Sequence, residues 1–129
     1  MKERIAIIDG LRSPIAKANG KLNDMSADTL GAIITKELVL RNDIDYKEFD
    51  EVIMGNVAQP SKAMNIARVM AIRAGFPQST PAYTVHRNCA SGMQSISSAI
   101  EKINSNQGDL YLVGGMESMS NIPLLYSDA

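Results

Sequence analysis

Tyr83-Thr84-Val85-His86-Arg87-Asn88-Cys89-Ala90-Ser91-Gly92-Met93-Gln94 passes from a β-type run to a helical one within a few residues. Pro81 to His86 reads as a strand, and Pro81 marks either its start or a sheet edge. Met93, Ile96, Ile100 and Ile103 then recur at helical spacing. They predict a helix whose apolar stripe covers a sheet and which closes near Asn104 to Gly108. A strand feeding directly into a helix is the repeating unit of a layered α/β fold. A helix that covers one sheet face normally shows charge on its outer side, yet Asn88 to Ile100 carries none. Small uncharged residues on every side predict a helix pressed between two layers.

The same alternation extends in both directions. Arg4 to Asp9 carries a continuous apolar run closed by Gly10, and reads as a strand buried on both faces. Leu11 to Asp24 holds Pro14, Asn19, Gly20 and Asn23 and reads as a loop. Ser26 is placed to cap the next helix, with Asp28 at the positive end of its dipole. Leu30, Ile33, Ile34 and Leu38 form the stripe of that helix, which Asn42 and Asp43 end. Glu51 to Met54, closed by Gly55, is another buried strand, followed by a loop from Asn56 to Ala63. Asn65 to Ala74 predicts a short helix stopped by Gly75 and Pro77. Leu110 to Val113 is a last strand, ending in Gly114-Gly115, while Ile122 to Tyr126 has no clear partner element. The predicted order is β-α-β-α-β-α-β, an α/β fold with a mainly parallel sheet and right-handed crossovers.

Composition limits the function classes. The chain has 129 residues, 45% hydrophobic and 21% charged, with a formal net charge of −1. That length fits one domain and buries roughly two-thirds of the unfolded surface. The near-zero charge gives no footprint for nucleic acid or an anionic membrane. One cysteine excludes an internal disulfide, and one cysteine with one histidine excludes a Cys/His metal cage. The longest uncharged run is too short and too rich in serine to span a membrane. The apolar run behind Met1 to Arg4 is broken by Asp9 and Gly10, so no signal peptide is expected and the setting is cytoplasmic.

Cys89 is the candidate nucleophile. It follows a strand and opens a helix, the place where open α/β sheets gather ligands. The helix dipole and free N–H groups there favour the thiolate and offer donors to a developing oxyanion. A lone cysteine is as readily a small buried hydrophobe. His86, three residues earlier, is the only histidine, but no spacing rule brings it to Cys89, and a structural role is the expectation. Gly114-Gly115 reads either as a close approach beside a site or as a plain strand end, and Glu117 beyond it as solvent-facing. Gly31 is expected to aid helix packing, and Arg12 and Lys17 to lie in a solvated loop. No P-loop, dinucleotide fingerprint or paired-carboxylate motif is present.

The segment Thr84 to Gln94 resembles the acyl-enzyme cysteine motif of the thiolases, the acetyl-CoA acetyltransferases and 3-ketoacyl-CoA thiolases. Three further blocks are similar in order and spacing: Arg12 to Lys17; Asp50 to Val57 followed by Asn65 to Arg68; and Gly114 to Ser120. The resemblance covers essentially the whole chain. It implies two similar α/β halves packed as five layers, with the cysteine helix in the central one, and dimerisation through the edge strand 81–86. It also implies fatty-acid-type chemistry on coenzyme A thioesters, with no permanently bound cofactor and no metal. An acyl group would rest on Cys89 before passing to a second coenzyme A or to an acetyl-CoA carbanion.

In that family the activating histidine, a second cysteine, an Asn–Glu segment and most coenzyme A contacts come from the second half. Residues 1–129 are therefore expected to be a truncated thiolase N-terminal domain without the fifth strand and the C-terminal half. His86 stands where many relatives carry Asn. A thiolase-type acyltransferase acting through Cys89 and a non-catalytic pairing module are the two readings. Either is expected to form a homo-oligomer, dimer or tetramer, and to bind neither nucleic acid nor membrane.

Overall fold

The computed structural model describes residues 4–127. Its sheet has three parallel strands in the order β2-β1-β3, where β1 is Glu51–Gly55, β2 is Ala82–Val85 and β3 is Tyr111–Gly115. Three helices alternate with them: α1 (Ala27–Arg41), α2 (Ile66–Ala74) and α3 (Ser91–Asn104). β1 is central because its apolar run can be covered on both faces, and Val52 and Ile53 have no exposed surface. β2 lies at an edge with Pro81 just before it, as a residue without an N–H donor requires.

The two faces of β1 follow the period of two. Val52 and Met54 join the main core, with Ile66, Ala67, Met70 and Ala71 of α2 and Ala32 and Val39 of α1. Ile53 and Gly55 face the opposite way, and Gly55 meets the start of α3. Phe76 anchors the far end of the core, edge-on to Tyr46 at 4.8 Å and to Phe49 at 5.3 Å. α2 stops at Gly75, whose φ of 109° few other residues adopt and whose N–H returns to Ala71 and Ile72. Asp28 is buried in the first turn of α1 and pairs with Arg73 of α2 at 3.0 Å, so it joins two helices as well as facing a dipole.

Four sequence expectations change. Arg4 to Asp9 is not a strand: Ile7 and Ile8 are 79% and 66% exposed. An apolar run becomes a buried strand only when other strands flank it. Among the described residues β3 pairs on one side only, with β1, and no strand reaches residues 4–9. The segment is held instead through Asp9, whose carboxylate pairs with Arg41 and accepts from Asn42 at the end of α1. That guanidinium and the neighbouring amides hold it well below the usual carboxylate range.

In α1 the buried face is Ala27, Gly31, Thr35 and Val39, and Ile33 is exposed. Small residues win because α1 packs closely: a Cβ on Gly31 would lie 2.7 Å from the Met116 sulfur. Ser26 occupies the cap position, but its hydroxyl pairs with that of Thr29 rather than with a backbone N–H. In α3 the reversal is partial, with Ile96 and Ile103 half-buried. Ser91, Ser95 and Ala99 face the sheet, while Met93 is 67% and Ile100 39% exposed. The glycines on the sheet floor bring the first turn of α3 so close that small residues take the contact, and Met93 and Ile100 point away.

Candidate functional site

The parallel strands end together at one side, and the βα turn after β2 carries Cys89. The turn is bent by Asn88, which holds a left-handed φ of 47°. Asn tolerates that region better than most residues, and such strain collects at functional turns. The Asn88-Cys89 pair in the sequence carries that signal, which spacing arguments had passed over. Ser91 fixes the turn from within. Its hydroxyl donates to the Asn88 carbonyl at 2.6 Å and accepts from the Arg87 N–H at 2.8 Å.

The Cys89 thiol is exposed, which excludes the buried-hydrophobe reading. It precedes the Ala90 cap of α3 and so lies at the positive end of the helix. The Ala90 and Ser91 N–H groups already bond the Arg87 and Asn88 carbonyls, at 3.0 and 3.1 Å. Oxyanion donors must therefore come from elsewhere in the turn or from another chain segment.

Cys89 opens on a groove of about 910 Å³ between the strand ends, α1 and the loop 11–18. Leu30, Ile34, Gly114 and Met116 give it apolar walls, and Arg12 and Lys17 stand on its exposed loop rim. Its size is that of small-molecule sites. Gly114-Gly115 is a close approach: a Cβ on Gly115 would lie 3.3 Å from the Gly92 Cα. His86 is exposed, and no hydrogen bond among the described residues joins it to Cys89.

Glu117 is the residue the sequence understated. Although exposed, its carboxylate accepts from the Asn56 side chain and from the Val57 and Ala58 N–H groups, at 2.9, 2.9 and 3.0 Å. Asn56 is itself 1% exposed and donates also to the Met116 carbonyl at 2.8 Å. Among the described residues no cluster of His, Cys, Asp or Glu suits a metal ion, and no helix is long and apolar enough to cross a membrane.

This fold is shared with known proteins. Residues 5–129 match the family described as "Thiolase, N-terminal domain". A probable acetyl-CoA acyltransferase of Staphylococcus aureus is 36% identical over 98% of the chain, and covers it with 32% of its own length. The corresponding protein of Staphylococcus epidermidis gives the same values, 36%, 98% and 32%. The crystal structure of the Bacillus anthracis acetyl-CoA acetyltransferase superposes with a TM-score of 0.85 at 36% identity, over 89% of this chain and 29% of that one. The chain thus spans about a third of the length of these relatives. With the match running from residue 5 to residue 129, the chain belongs to the thiolase family and corresponds to its N-terminal portion.

Proposed function

We propose that Cys89 is the acyl-accepting nucleophile of a thiolase-type acyltransferase that forms or cleaves 3-ketoacyl-CoA. The observation that carries this reading is the exposed thiol itself, set on a strained turn before α3 and opening on the groove. In cleavage the thiolate attacks the 3-keto carbon, the bond between C2 and C3 breaks, and the acetyl-CoA carbanion that leaves takes the proton that Cys89 gave up. In synthesis the thiolate attacks the thioester carbonyl carbon instead. The bond to the coenzyme A sulfur breaks, and coenzyme A leaves as a thiol with the proton that Cys89 gave up. The acyl-cysteine remains a thioester, so its carbonyl stays electrophilic for attack by a second coenzyme A or an acetyl-CoA carbanion. Coenzyme A thioesters are thus substrates, and no resident cofactor is needed. A reducing, cytoplasmic setting keeps such a lone thiol free.

The residues that complete the reaction in the family resemblance are a histidine, a second cysteine and an Asn–Glu segment of the second half. The one cysteine and one histidine here are Cys89 and the exposed His86. The isolated chain therefore accepts an acyl group without turning over, and the free edge of β3 is the place where further strands of a complete domain would add. A pairing module with no chemistry of its own is the second reading, favoured by a chain that spans 32% of its relatives. Incubation with acetyl-CoA followed by peptide mass mapping separates the two. An acetyl group on the peptide containing Cys89, absent from Cys89→Ser, supports the nucleophile; an unmodified thiol supports the pairing module.

A further inference from the structure

We propose that Glu117 is a positioning residue for Cys89, acting through the backbone seat on which the cysteine turn rests. This deepens the reading of Cys89 as nucleophile and rests on it. The three donors to the Glu117 carboxylate come from three consecutive residues, Asn56, Val57 and Ala58, which leave the end of β1. Charge-assisted bonds of this kind are about twice as strong as neutral ones. Asn56 spreads the constraint across the sheet. Its backbone N–H donates to Val85 of β2 at 3.2 Å, its side chain reaches Met116 just past β3, and the Met116 N–H returns to Gly55 at 3.0 Å. All three strand ends are thereby fixed together.

The first turn of α3 sits directly on this knot. A Cβ on Gly55 would lie 2.6 Å from the Gly92 nitrogen, so no side chain cushions the contact. Ser91 carries the constraint on to Arg87 and Asn88, and the residue after Asn88 is Cys89. The route from the Glu117 carboxylate to the nucleophile therefore runs through backbone and two short, bonded side chains, Asn56 and Ser91, and a shift at one end moves the other. A carboxylate suits the task because it only accepts. Glutamine would turn an NH₂ group toward one of the three donors.

The test compares Glu117→Ala and Glu117→Gln with Val39→Ala, a core change in α1 outside the groove, well below each unfolding midpoint. Cys89 alkylation by iodoacetamide is timed, and amide exchange is followed at 57–58 and 88–92. Glu117→Ala should slow alkylation about tenfold, less than the roughly hundredfold loss that a misplacement of about 1 Å can cost. It should also quicken exchange in both segments, with Glu117→Gln intermediate and Val39→Ala unchanged. An unchanged rate with unchanged exchange at 88–92, or equal slowing in Val39→Ala, overturns the proposal. Should Glu117→Ala not fold, Glu117→Gln decides alone: slowed alkylation supports positioning and a wild-type rate overturns it. A wild-type chain that takes no acetyl group from acetyl-CoA defeats the nucleophile reading, while the exchange at 88–92 still decides the clamp.

Discussion

Gly55 and Ser91 meet backbone to backbone: a Cβ placed on Gly55 would lie 2.4 Å from the Ser91 carbonyl carbon. Real side chains do not approach that closely, so glycine there is what lets α3 begin over the strand end. Gly55→Ala should force α3 off the sheet and cost about 3 kcal/mol, the upper part of the range for overpacking. Urea unfolding checks the cost. A midpoint equal to wild type would mean that the turn yields freely and that Cys89 has no fixed seat.

The corrected orientation of α3 predicts opposite outcomes on its two sides. Ser95 has no exposed surface, so Ser95→Leu should destabilise by about 1–3 kcal/mol. Met93 is 67% exposed, and Met93→Ser should change stability by no more than about 0.5 kcal/mol. Thermal melts of the two variants check this, and the reverse ranking would restore the stripe read from the sequence.

Asp50 supplies a pH-dependent contribution at the opposite end of the sheet. Its carboxylate accepts from the Asp109 and Leu110 N–H groups at 2.7 and 3.0 Å. The Leu110 and then the Asp109 amide stabilise the charged form and lower its pKa from 3.8. A folded value below the unfolded one means the stabilisation is full above the unfolded pKa and disappears as pH falls through the folded value. Asp50→Asn should therefore lower the melting temperature at neutral pH and leave a smaller difference from wild type in strong acid. A constant difference across that range would contradict the account.

The sequence made the βα alternation legible because glycine and proline punctuate it at Gly55, Gly75, Pro77 and Gly114. It placed Cys89 at the right junction, and it foresaw the close packing at Gly31. The helix faces were misread for one physical reason. Large apolar residues were assigned inward, but Gly31 of α1 lies against Met70 and Met116, and Ser91 and Gly92 of α3 lie against Gly55, so small residues take the closest contacts. The strand at 4–9 was misread because periodicity reports what a segment needs, not whether neighbours arrive. The Glu117 clamp was hidden because its partners, Asn56 to Ala58, lie about sixty positions away and are mostly backbone.

The open edge of β2 is the basis of a proposed assembly through residues 81–86. Among the described residues β2 pairs with β1 alone, and apart from the Ala82 carbonyl, which accepts from Asn65 at 3.0 Å, its other edge is open on the side of the sheet where Met93 and Ile100 of α3 are exposed. Sedimentation at micromolar concentration should give a dimer or larger particle, with amides 82–85 protected from exchange. A monomer with rapid exchange there would show that this edge stays open.

The central claim is that Cys89 accepts an acyl group in a chain that does not complete the cycle. Loss of acetyl-CoA thioester absorbance, followed over time with purified chain in known amount, tests it most directly. The account predicts a single stoichiometric loss that then stops, that is absent in Cys89→Ser, and that leaves acetyl on Cys89. No Cys89-dependent loss, or a loss that continues through many equivalents, would contradict it.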